Sequence, residues 1–188
     1  MVASALIAAG ARIARLARDR RGVAAVEFAL ILPIMLALYF GADELGNGLT
    51  IERKVTHVSS TLSDLVTQAT TISDTDMSNI LNAAASVVTP YSTSLLTIRI
   101  SELYVDANGK VTVQWSDAYN TTKLATGTVI GNVPTTLKST TAAYLVTAEI
   151  HYSYKPTVGY VMTGTFDIHD QFYLRPRLSD TGITRTAS

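Results

Sequence analysis

Arg20-Arg21-Gly22-Val23-Ala24-Ala25-Val26-Glu27-Phe28-Ala29-Leu30-Ile31-Leu32-Pro33, running on without further charge to Phe40, decides how this chain is built. A basic flank stops at a glycine, and an apolar run begins at the next residue. Val23 to Phe40 holds 18 residues with Glu27 as its only charge. As a helix rising about 1.5 Å per residue it spans roughly 27 Å, close to the hydrocarbon thickness of a bilayer. A carboxylate inside such a run costs about 2.5–3.5 kcal/mol near the bilayer centre and less toward an interface. It is expected to persist only with a task and a partner. Pro33 is tolerated in a membrane helix when neighbours satisfy the freed carbonyl.

The flanks orient the segment. Arg12, Arg15, Arg18, Arg20 and Arg21 precede it against the lone Asp19, whereas Asp43 and Glu44 follow it. Tyr39 and Phe40 stand where an aromatic belt is expected, and the positive-inside rule places the N-terminus in the cytoplasm and the large remainder outside. A cleaved secretory signal peptide is the rival reading, because a basic region before an apolar one fits it too. The run exceeds the usual length of such a signal, and no A-x-A site follows cleanly after Leu38. Asp19-Arg20-Arg21-Gly22-Val23 is also a poor match to a twin-arginine signal.

The chain has 188 residues and no net charge, and its basic excess is confined to the segment before the apolar run. Nucleic-acid binding by the chain as a whole is therefore not expected. No cysteine is present, which excludes disulfides, thiolate metal sites and a cysteine nucleophile.

The block from Arg20 to Pro33 resembles the start of TadE/TadF-type minor pilins, the pseudopilins of the tight-adherence (Flp) branch of the type IV pilus machinery. The resemblance covers residues 20–65 and, more loosely, Val105 to Trp115. It implies that a prepilin peptidase cuts on the cytoplasmic side after Gly22, so that Val23 becomes the first residue. Glu27 then takes the fifth position, the hallmark of these proteins, and Phe28 matches the aromatic that follows it. Further implied partners are other pilins and pseudopilins, the inner-membrane pilus assembly platform and the lipid bilayer. The implied location is the bacterial inner membrane, single-pass, with the C-terminal domain periplasmic or extracellular. No enzyme activity and no cofactor are implied. Some relatives carry cysteines in the exported part; this chain departs from them there.

A physical reason for the glutamate stands apart from the resemblance. Cutting after Gly22 would leave an ammonium on Val23 at the edge of the apolar phase, one helical turn from Glu27. A buried ammonium and a buried carboxylate are each costly alone and tolerable together. The pairing is open between one subunit and two neighbours in an assembly. The alternative is a glutamate that snorkels to the interface without a partner.

Four segments follow: a basic leader over 1–22, a transmembrane helix over 23–42, a helical stalk over 43–90 and an extracytoplasmic antiparallel β domain over 91–188. Gly41, Gly46 and Gly48 predict a weakened, bent helix just outside the membrane. Val55, Val58, Leu62, Leu65 and Ala69 then recur at helical spacing as a buried face, opposite Thr56, His57, Ser60, Ser63, Asp64 and Gln68. Ser73-Asp74-Thr75-Asp76 reads as the capped start of a second helix with Met77, Ile80, Leu81, Ala84, Val87 and Val88 inward, ended by Pro90. The period then changes to two. Leu95–Val105 and Lys110–Trp115 predict a hairpin in which Asn108-Gly109 supplies positive φ angles. Residues 116–142 read as loop with short ordered pieces, Tyr144–Tyr154 and Phe166–Leu174 as further strands, and the tail from Ser179 as frayed. The fold class is α+β: a long N-terminal transmembrane and amphipathic helix, a second helix, and an antiparallel sheet of about four strands, as in pilin-like heads.

Catalytic settings are not found: neither G-x-S-x-G, Ser-x-x-Lys nor a phosphate-binding glycine loop occurs. Asp167 and His169 share a face of one strand, with His151 on another, and are read as solvated; a cation site with His151 across the sheet is the alternative. Tyr152, Tyr154, Tyr160 and Tyr173 form either a docking surface or cross-strand packing pairs. The runner-up for the whole chain is a single-pass anchored extracytoplasmic binding or adhesion module that is never processed.

Overall fold

A computed structural model describes residues 22–138, 143–156 and 163–187. The basic leader up to Arg21, and Tyr160, lie outside the described residues. The fold is α+β. Helix α1 (Val23–Thr67) is 45 residues long. It is followed by β1 (Thr71–Ser73), α2 (Asp74–Ser86), a 3-10 turn (Thr93–Leu95), β2 (Leu96–Val105), β3 (Val111–Tyr119), the short α3 (Thr135–Lys138), β4 (Ala143–Tyr154), β5 (Phe166–Leu174) and β6 (Thr184–Thr186).

Helix α1 runs unbroken through Pro33 and through all three glycines expected to weaken it. Tertiary contacts explain the difference. Tyr154 lays its ring beside Gly48, where an added Cβ would meet ring carbon Cε1 at 3.6 Å, and its hydroxyl donates to the carbonyl of Glu44 at 3.2 Å. Tyr91 donates to Asn47 Oδ1 at 3.2 Å, and Lys54 Nζ donates to the carbonyls of Val87 and Thr89 at 2.8 and 2.9 Å. Packing of this kind overrides the low intrinsic propensity of glycine.

Further along, Ile51, Val55, Val58, Leu62 and Val66 are buried against the sheet, joined by Ser59, Ser63 and Thr67. Two assignments to helix faces change. Leu65 is half exposed and Ser63 is fully buried. The buried positions advance in four-residue steps, Ile51-Val55-Ser59-Ser63-Thr67 and Val58-Leu62-Val66, each about 40° further round the helix, so the packed face turns away from Leu65 and onto Val66. The small hydroxyls lie on the adjoining ridge. The Ser59 hydroxyl lies within hydrogen-bond reach of two acceptors, the carbonyl of Thr56 at 3.0 Å and the carboxylate of Asp170 in β5. Thr67 donates to the carbonyl of Asp64 at 2.9 Å.

The sheet has strand order β3-β2-β4-β5 and is antiparallel throughout. One face, carrying Ile98, Ile100, Val146, Ala148, Ile150, Tyr152 and Tyr154, packs on α1 and α2. The other face has a smaller core of Leu103, Val105, Val111, Val113 and Leu145 covered by Val133. The chain between β3 and β4 supplies that cover, with an isolated bridge from Thr112 to Val129. The β2–β3 hairpin lies where expected, but β3 runs on to Tyr119, through residues 116–119, expected as loop, because they pair with residues 98–101 of β2; its turn differs too. Gly109 alone in the turn has positive φ, at 76°. Asp106 Oδ1 accepts from the backbone N–H of Asn108 and Lys110 at 2.8 and 2.9 Å. The aspartate thus holds a five-residue loop that leaves Asn108 outside the left-handed region.

Helix α2 starts where the sequence places it. Ser73 Oγ accepts from Asp76 N at 3.1 Å, and the Asp76 carboxylate accepts from Ser73 N at 3.3 Å. This capping box, through the Ser73 side-chain and backbone hydrogen bonds, holds the Asp76 carboxyl below its usual range. Met77, Leu81, Ala85 and Val88 face inward, while Val87 turns outward.

The tail is docked rather than frayed. β6 pairs in parallel with β1, and Ile183 is buried. Its N–H donates to Glu102 Oε1 at 2.6 Å, and its carbonyl accepts from Trp115 Nε1 at 3.0 Å. Arg185 donates to Asp117 and Asp74, each at 2.9 Å, and to the carbonyl of Ile72 at 2.6 Å. Gly182, at φ 88°, is required here: a Cβ would stand 2.8 Å from the Tyr144 ring.

Candidate functional site

Helix α1 is divided by its surroundings. Residues 22–39 are all exposed, Phe40 is intermediate, and Gly41 is the first buried position. Val26, Leu30, Leu38 and Tyr39 expose 60 to 70% of their surface. An apolar face of this size on every side of a helix has no explanation within a water-soluble head. The bare part has a mean hydropathy of 2.3, which is apolar enough for one helix to cross a membrane.

The four residues singled out from the sequence lie together at the start of this bare part. Gly22 is the N-cap residue, with φ −77° and ψ −19° and no side-chain cap. Its conformation is open to any residue, and nothing lies within 4 Å of where a Cβ would sit. Neither backbone strain nor packing among the described residues requires glycine there. Val23 opens α1, and Glu27 follows one turn later, about 6 Å along the axis and on nearly the same face. Phe28 is 59% exposed and points about 100° round from Glu27. Among the described residues, the first turn of α1 contains no acidic residue and Gly22 supplies no side-chain cap.

The head carries a second group, on the sheet face away from α1. His151 of β4 stands directly opposite His169 of β5, with the rings stacked at 5.4 Å. His151 Nδ1 lies 3.0 Å from Asp167 Oδ2, and Nε2 lies 3.3 Å from Glu149 Oε1. Arg99 Nη1 takes the other Glu149 oxygen at 2.8 Å. Burial opposes the protonated ring of His151, but the hydrogen bonds to Asp167 and Glu149 and their charges together raise its pKa.

The three tyrosines of that group that lie among the described residues pack inward and do not form a docking surface. Tyr152 and Tyr154 belong to the core, where burial raises their pKa, and Tyr173 packs against the smaller core. Asp74 pairs with Arg185 and Asp76 caps α2, so the Asp74-x-Asp76 pair is structural. His57 is exposed and within 3.2 Å of Thr61 Oγ1. Sequence reading missed the buried carboxyl of Glu102 and the anchoring role of Arg185. Both face partners distant in the chain, so no local pattern announces them.

Residues 22–63 match the family described as TadE-like protein. The match begins at the N-cap glycine and lies otherwise within α1, so it takes in the bare segment, Glu27 and most of the packed half. No curated protein and no solved structure matches the chain. The N-terminal segment is therefore TadE-like, and its one long apolar helix is compatible with a single-pass membrane anchor.

Proposed function

We propose that this chain, TadE-like over residues 22–63, is a minor pilin or pseudopilin needed to assemble a tight-adherence pilus. In this reading it sits in the inner membrane, N-terminus in the cytoplasm and head outside. A prepilin peptidase cuts it between Gly22 and Val23. It then engages other pilins and the assembly platform through the bare half of α1. It is a structural subunit and not an enzyme.

The observation that carries the reading is the division of α1. An 18-residue apolar stretch, Val23 to Phe40, makes almost no contact with its own head, starts right after the glycine and carries a single charge one turn from the new terminus. Such a stretch is covered by lipid before assembly and by neighbouring helices after it. A glycine that the fold does not need suits a peptidase that reads the extended chain. Glu27 then compensates the Val23 ammonium, either in its own helix or in the next subunit.

Substitution at Glu27 tests this. Glu27→Leu removes the one charge from the span and is expected to leave the protein in the membrane fraction, while its share in sheared pili falls at least tenfold. That corresponds to about 1.4 kcal/mol or more of lost pairing. Wild-type incorporation of the leucine variant would overturn the pairing.

A further inference from the structure

We propose that His151, Asp167 and His169 form a binding site for a divalent transition-metal cation of the Zn2+ class on the outer face of the sheet. This site is independent of the pilus reading. It rests on register, donor chemistry and the groups behind the donors.

Register comes first. His151 and His169 are paired across β4 and β5, and Asp167 lies two residues before His169, so all three side chains project from the same face. One donor atom from each falls within 4.8 Å of the other two. A tetrahedral ion with bonds of 2.0–2.2 Å brings its donors to about 3.4 Å from one another. Rotation of the exposed Asp167 and His169 side chains covers the remainder while His151 keeps its contact with Glu149. Two imidazoles and one carboxylate suit Zn2+ and its neighbours, whereas Mg2+ and Ca2+ select oxygen ligands.

The surrounding groups add an independent argument. A ligating histidine usually donates its second ring N–H to a carboxylate that fixes tautomer and ring orientation. Glu149 stands where this needs it, with Oε1 3.3 Å from His151 Nε2. Arg99 holds the other oxygen of Glu149 at 2.8 Å, so the carboxylate is itself oriented. Donation from Nε2 to Glu149 leaves Nδ1 as a lone pair facing Asp167 Oδ2 at 3.0 Å. That contact is closed either by a proton on Nδ1 or, in exchange for that proton, by a metal ion bound to both atoms, and His169 is in place as the third donor. Water completes the coordination. β5 is one of the two edge strands of the sheet, so the ion would tie that edge to β4.

The test is isothermal titration of the detergent-solubilised full chain with ZnCl2, with MgCl2 in parallel. Saturable binding of one Zn2+ per chain is expected, and none of Mg2+. His151→Ala and His169→Ala should each weaken Zn2+ binding at least tenfold. Glu149→Gln should weaken it about 10–100-fold without abolishing it. Co2+ substituted into the wild type should give the intense visible bands of a tetrahedral site, absent from His169→Ala. These variants lie on the open face, and unchanged thermal unfolding in EDTA verifies that they fold. No saturable Zn2+ heat, meaning that a proton alone is shared there, or undiminished binding in both histidine variants, would overturn the proposal.

Discussion

Leu62→Asp abolishes the folded head, whereas Leu65→Asp leaves it intact. Both leucines fall in the one stripe drawn from sequence periodicity, yet Leu62 is 1% exposed and Leu65 is 50% exposed. Leu62 sits in the continuous core formed by α1, α2 and the sheet. Replacing it forfeits about 2–3 kcal/mol of apolar burial and adds an unpaired carboxylate to a dry interface at several kcal/mol more. The sum is comparable to the total stability of a domain, about 5–15 kcal/mol. The exposed substitution should change stability by about 0.5 kcal/mol or less. Thermal unfolding of the detergent-solubilised chain, followed by near-ultraviolet circular dichroism of Trp115 and the core tyrosines, separates the two. Equal melting of the variants would contradict the packing of α1 on the sheet.

The second large effect is a loss of stability with rising pH that traces to Glu102. This side chain is 2% exposed, and burial pushes its carboxyl from the ordinary 4.5 up to about 7, against the opposing hydrogen bonds from Ile183 and Trp115. A raised carboxyl pKa means that the folded state holds the proton more tightly than the unfolded chain. The favourable contribution is complete below about pH 4.5, falls as pH rises toward 7 and is gone above it. Its full size is roughly 3 kcal/mol, from about 1.36 kcal/mol per pH unit. Glu102→Gln keeps an acceptor for the Ile183 N–H and removes the titration. Its melting temperature should exceed that of the wild type at pH 8, and the gap should narrow toward pH 5. His151 titrates in both proteins, so the difference between them isolates Glu102. A gap that does not change with pH would refute the assignment.

How far the sequence could be read follows from the range of the interactions concerned. The α2 cap, the β2–β3 hairpin as far as Trp115 and the limits of β5 depend on neighbours a few residues away, and each lies where the local pattern places it. The turn at Asp106–Lys110 shows the limit of that reading: Asn108-Gly109 marks the place, but the Asp106 carboxylate selects the geometry. The continuity of α1 through Gly48, the docked tail and the buried Glu102 depend on partners 68 to 113 residues away, such as Trp115 with Ile183, Tyr154 with Glu44 and Ile72 with Arg185. Composition at Ser179–Thr186 is that of a loose end, and only the opposing surface makes it a strand. The candidate site lies at the other extreme. Gly22, Val23, Glu27 and Phe28 are contiguous, and their spacing on a helix needs no tertiary information.

Intact mass spectrometry of the chain extracted from membranes bears most directly on the role proposed for the Gly22–Val23 bond. The account predicts a mature polypeptide whose first residue is Val23, with the arginine-rich segment gone. A membrane-resident protein that assembles into pili while still carrying Arg20, Arg21 and Gly22 would contradict it, since no new ammonium would then stand one turn from Glu27.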